Sequence, residues 1–193
     1  MSFIGRTRNL LNISGSGGII RRYLVVNGFD GALTMLGLIM GFLASGTDDL
    51  DVIINACLAA TIALGMSGFS SAYVSEVAER KRALEKLEGA MITDLGPTAH
   101  GHAARWVPVL VALVNGAAPL CISLVIITPL WLARAGTPLP LPPMYLAVAC
   151  AGVLIFVLGV LLGRIADVSW VHSGIRTLVI AMITVALIYW LTG

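Results

Sequence analysis

The sequence predicts an all-α membrane protein in which five helices cross a bilayer and the second runs on into the cytoplasm. Three observations carry this. Apolar residues make up 58% of the chain and charged residues only 11%, against roughly 25% charged in a soluble domain, so too little polar surface exists to coat a water-soluble globule. Five apolar runs each reach about 20 residues, the length that crosses the hydrocarbon core. Large amphipathic aromatics (Tyr23, Trp106, Trp131, Tyr145, Trp170, Tyr189 and Trp190) stand at the ends of those runs, where an interfacial belt belongs. The same composition excludes a soluble enzyme and a disordered tail. A net charge of +2 gives no strong phosphate-seeking field, so no nucleic-acid partner is expected; the partner is the lipid bilayer.

The elements follow in order within a single membrane domain, 1–193. The first span covers about 24–45 and is preceded by Arg6, Arg8, Arg21 and Arg22. Leu43-Ala44-Ser45-Gly46 has the small residues of a signal-peptide cleavage site, but the apolar run is too long for a signal peptide and holds Asp30. A turn with Asp48, Asp49 and Asp51 leads to the second span, about 52–75. The polar segment 76–105 begins with strong helix formers of mixed charge, so span two should continue as a helix until Gly96-Pro97 stops it. The third span, about 107–133, contains Pro119 and Pro129, which remove backbone bonds and can kink it. The proline-rich turn from Ala135 to Pro143 should be a stiff extended loop. The last spans cover about 144–163 and 175–191. A helix satisfies its own backbone in lipid, and the strict alternation of a membrane β-barrel is absent.

Lysine and arginine set the expected orientation. Eleven of the twelve fall on the side of the amino terminus, in the tail, in segment 76–105 and beside the last turn; Arg134 alone falls on the other. By the positive-inside rule the amino terminus is cytoplasmic and the carboxyl terminus outside. Compact loops suggest a prokaryotic cell membrane. Cys57, Cys121 and Cys150 are widely spaced inside apolar runs and read as packing residues, with no disulfide framework.

Asp30 is the residue best suited to chemistry. It stands roughly 12 Å past Arg22 along a helix and is the only acid well inside a span. A carboxylate there is by default functional, facing the protein interior or a wet path; the alternative is an acid that bonds helices together. Asn27, Gly28 and Gly31 surround it, and such glycines permit close approach or local unwinding. On span two, Ala59, Ala63, Ser67, Ser71 and Ser75 recur every four residues beside Gly68 and Ala72. That stripe is either a tight helix contact or a hydroxyl-lined groove. Met66 and Met35 are candidate soft ligands; with a carboxylate they would suit a transition metal rather than magnesium or calcium, although methionine also serves as filler. Glu76 with Glu79, and Glu85 with Glu88, each share a helix face and could hold a divalent cation, or could be salt-bridged to the interleaved Arg80, Lys81, Arg82 and Lys86. His100 and His102 are a weaker hint. Asn115-Gly116 echoes Asn27-Gly28.

The arginine-flanked span with Asp30-Gly31 resembles the vacuolar iron transporter family. So do the second span ending in Ala72-Tyr73-Val74-Ser75 and the third with Asn115-Gly116 followed by Pro119. The resemblance runs from about Arg21 onward. It implies a homodimer of five-helix subunits and a path for ferrous iron or manganese along the dimer axis, lined by Asp30. It implies export from the cytosol in exchange for protons. Two departures stand out. Aligned on Tyr73, the family's methionine and glutamate fall on Gly68 and Ala72, and only 76–105 stands where the family has a larger glutamate-rich domain. The chain looks like a short-loop branch.

The expected function is therefore a transporter of iron or manganese ions, an antiporter working as a homodimer. Asp30, Met66, Met35 and the four glutamates are its candidate metal ligands, and Asn27, Gly31, Ser67, Ser71 and Ser75 line the path. No resident cofactor is expected, since the metal is cargo. The rival is a non-transporting membrane scaffold or assembly protein of the same fold. An intramembrane enzyme is not expected, because no second acid, paired histidine or supported nucleophile shares the depth of Asp30.

Overall fold

A computed structural model describes residues 17–192; Arg6 and Arg8 of the tail lie outside the described residues. Among the described residues there are five helices and no strand: α1 (Gly17–Ala44), α2 (Leu50–Met91), α3 (Ala99–Arg134), α4 (Pro143–Ile165) and α5 (Trp170–Thr192). Each contains a section long and apolar enough to cross a membrane. The protein is a polytopic membrane protein. The side on which α1 begins is called the near side below.

The helices exceed the predicted spans at almost every end, because hydropathy marks what is apolar and not where helical backbone stops. α2 is the extreme case. It runs unbroken for 42 residues, carrying its charged section on beyond the apolar one, as the helix-forming composition predicts. It stops at Met91 and not at Gly96-Pro97. Ile92 takes a left-handed conformation (φ 52°) and gives its N–H to the Glu88 carbonyl. The Glu88 Oε1 then accepts the Leu95 N–H at 3.0 Å, and Leu95 is buried. Burying that leucine turns the chain back before the proline is reached. α3 accordingly starts at Ala99, so part of segment 76–105 is its first turns. It carries Pro108, Pro119 and Pro129 without losing its helical course.

α3 is the central helix, packing on α2, α1 and α4, while α4 and α5 form a hairpin that docks on α1. The larger apolar core fills the half of the bundle remote from the near side, around Ile39, Ile53, Ile54, Ile126, Ile127, Leu130 and Ile155. A smaller cluster of Ala103, Val107 and Val111 closes the near half. In the hairpin, Gly163 of α4 lets Ser173 approach so closely that a Cβ would sit 2.8 Å from that residue's own Cβ. At the remote side the acidic turn has a structural task. Asp49 caps α2 by accepting the N–H groups of Asp51 and Val52, and Asp51 meets Arg134 at 2.8 Å. The loop after α3 turns at Gly136 (φ 80°) and enters α4 with Pro143 in the first turn.

Candidate functional site

Two side-chain amides of the transmembrane region meet where α1, α2 and α3 come together. Asn27 of α1 gives one amide hydrogen to the Tyr23 carbonyl at 3.1 Å and bonds with the same nitrogen to the Asn115 side-chain oxygen of α3. Asn115 in turn donates to the Gly68 carbonyl of α2 at 2.6 Å. Two side-chain amides thus tie three helices, and Asn115 is buried. Small residues bring the backbones close enough. A Cβ on Gly68 would lie 3.0 Å from the Asn115 carbonyl oxygen, and one on Gly31 would lie 2.8 Å from the Pro119 Cα. Pro119 has no N–H to give the carbonyl four residues back, which is that of Asn115. The bond-poor carbonyl faces a glycine. The echo between Asn27-Gly28 and Asn115-Gly116 is thus a contact: the two asparagines meet.

Asp30 lies one turn along from Asn27 but outside this knot. It is exposed at the surface of the single chain. It lines a cleft of about 160 Å³ with Phe29 of α1, Leu158, Gly159 and Leu162 of α4, and Thr177 and Ile180 of α5. Thr177 shares its hydroxyl proton between the Ile155 and Gly174 carbonyls. Among the described residues the Asp30 carboxylate has no hydrogen-bond or ion-pair partner. Eight residues past Arg22, the last base before the apolar section of α1, it stands about 12 Å along the helix.

The other candidates scatter. Met35 is fully buried and accepts the Thr61 hydroxyl on its sulfur at 3.8 Å, inside the core. Met66 is 59% exposed on the outer face of α2. Ser67, Ser71 and Ser75 are exposed with it, as are Ala59 and Ala63. The tight contact of α2 with its own chain is made instead by Gly65, Gly68 and Ala72, one position round the helix. The small and hydroxyl-bearing stripe faces away from the subunit. Glu76 is buried and meets Arg80 at 3.3 Å; Glu79 is exposed. Glu85 reaches Lys81 at 3.9 Å, and Glu88 holds the turn at Leu95. His100 and His102 are exposed. Among the described residues no three His, Cys, Asp or Glu side chains come together as a metal-holding group. Gly31 and Asn27 belong to the knot, Asp30 to the neighbouring cleft.

Asn115 is the residue whose place sequence reasoning missed. Its signal was available: a lone amide inside an apolar helix seeks a partner on another helix. Gly68 and Ala72 acquire a reason as well. Both are buried against α3, and a methionine at position 68 would drive its Cβ onto the Asn115 carbonyl.

No family model matches the chain. It is similar to the uncharacterized protein MJ0645 of Methanocaldococcus jannaschii, with 30% identity over 174 residues, covering 88% of this chain and 86% of that protein.

Proposed function

For this chain, which belongs to the family of the archaeal protein MJ0645, we propose transport of a divalent transition-metal cation, iron or manganese, across a membrane. One observation carries the reading: Asp30 stands well inside a span, opens outward from its subunit, and has no partner among the described residues. An ionised carboxylate in hydrocarbon costs about 2.5–3.5 kcal/mol on insertion scales. A second copy of the chain offers a way to offset this. In a two-fold homodimer a residue lying at the axis faces its own mate; with Asp30 there, two carboxylates together can hold a divalent cation that neither subunit holds alone. Cation and proton then compete for the same pair, which couples export of the metal to entry of protons. The amino terminus is cytoplasmic in this scheme, and the membrane is a prokaryotic cell membrane. Glu79, exposed on the charged section of α2, gathers the ion. The resemblance to the vacuolar iron transporter family supports the same reading.

The test is uptake of ferrous iron and manganese into proteoliposomes under a pH gradient. Asp30→Asn should fall to the level of protein-free liposomes. Uptake by the variant as fast as wild type would end the proposal. The amide knot and the close packing at Gly68 and Ala72 favour a second reading, a membrane scaffold that moves nothing. Calorimetry separates the two: a scaffold binds neither metal, and its Asp30→Asn variant behaves as wild type.

A further inference from the structure

The near side carries a second feature, independent of Asp30. Tyr73, Val77, Lys81 and Leu84 share one face of α2, being spaced by three and four residues. Opposite them stand Gly101, Ala104 and Arg105 of α3, with Gly96 of the turn between. Together they line a groove of about 380 Å³. The turn lies directly on the first turn of α3, where Gly101 has no room for a side chain against the Gly96 carbonyl.

The groove crosses the edge of the apolar region. Tyr73 is within the apolar section of α2, while Leu84 lies about 16 Å further along the helix. Arg105 immediately precedes Trp106, which is 59% exposed at the start of the apolar section of α3. The lining holds two cations and no carboxylate. Arg105 has no ion-pair partner among the described residues. Lys81 has only the long pairing to Glu85, between side chains 76% and 60% exposed. Asp94, the nearest acid in the turn, accepts the Gly96 N–H. The first turn of α3 adds its own positive end, because Thr98 turns its hydroxyl to the Leu95 carbonyl instead of capping the helix.

We propose that this groove binds an anionic phospholipid, with the phosphate between Lys81 and Arg105 and an acyl chain along Val77 and Tyr73. Charge complementarity selects the occupant: an unpaired arginine and a lysine held only by a long exposed pairing, above an apolar wall, attract a lipid of net negative charge more than a zwitterionic one.

The test titrates the purified full-length protein in detergent with phosphatidylglycerol and, separately, phosphatidylcholine, read by native mass spectrometry. Wild type should retain phosphatidylglycerol preferentially. Each basic side chain removed should weaken that retention about fivefold, and the Lys81→Gln/Arg105→Gln double variant should lose at least about tenfold. Arg105→Lys should keep it, and Arg164→Gln, an exposed base elsewhere on the near side, should leave it unchanged. Inorganic phosphate at millimolar concentration should not displace the lipid. Equal retention of the two lipids by wild type overturns the proposal without any variant. So does undiminished phosphatidylglycerol binding by the folded double variant, an equal loss in Arg164→Gln, or displacement by inorganic phosphate, which would make the site one for a free anion.

Discussion

Asn27 and Asp30 are neighbours on one turn of α1 and belong to different regions. Asn27 is held by a backbone carbonyl and by Asn115, which itself reaches Gly68, so the side-chain amides of that knot find partners inside one chain. Asp30 looks into a cleft between α1, α4 and α5 whose walls are chiefly apolar, and nothing among the described residues meets its charge. In a hydrocarbon surround an unmatched charge is costlier than an unmatched amide. The residue with the greater need for a partner is the one the subunit leaves without. A matched polar group in a membrane holds helices together; an unmatched one points to something outside the chain.

Substitutions can break or sharpen that contrast, with stability followed by denaturant unfolding in detergent micelles. The largest effect should come from Gly31→Ala, whose new Cβ meets the Pro119 backbone at 2.8 Å; overpacking of this kind costs about 1–3 kcal/mol. Gly41→Ala, with nothing within 4 Å, is the matched control and should not destabilise. Next comes Asn115→Leu, which keeps volume but cuts the tie among three helices. Hydrogen bonds between membrane helices are worth about 0.6 kcal/mol on average and up to about 1.7, so a loss in that range is expected. The smallest loss should be that of Asp30→Asn, which should be no less stable than wild type, because no partner in the subunit is lost and a costly charge is removed. If Asp30→Asn destabilises the isolated subunit as much as Asn115→Leu, Asp30 belongs to the knot and the contrast fails.

Much of the fold was legible. Five apolar runs gave five helices, since crossing length and backbone satisfaction leave few alternatives. The continuation of α2 past its apolar section followed from helix formers alone. Its end did not, because burial of Leu95 and the bonds made by Glu88 are contacts between residues on opposite sides of a turn. The candidate site was legible in part. Asp30 was conspicuous as an acid among apolar neighbours. Whether Met35 and Met66 stood near it was not, because periodicity gives only the face of a helix and not what that face meets. Met35 proved to be core, and Met66 outward-facing.

The amino-acid sequence by itself determined that this is a membrane protein of five helices with one acid well inside its first span. Hydrophobicity and charge are properties of single residues and of their order along the chain. Only the tertiary structure decided that the two asparagines meet, that Gly31 and Gly68 seat neighbouring backbones, and that Lys81 and Arg105 flank one groove. Those facts depend on how three helices cross, which is set by packing among residues far apart in the chain.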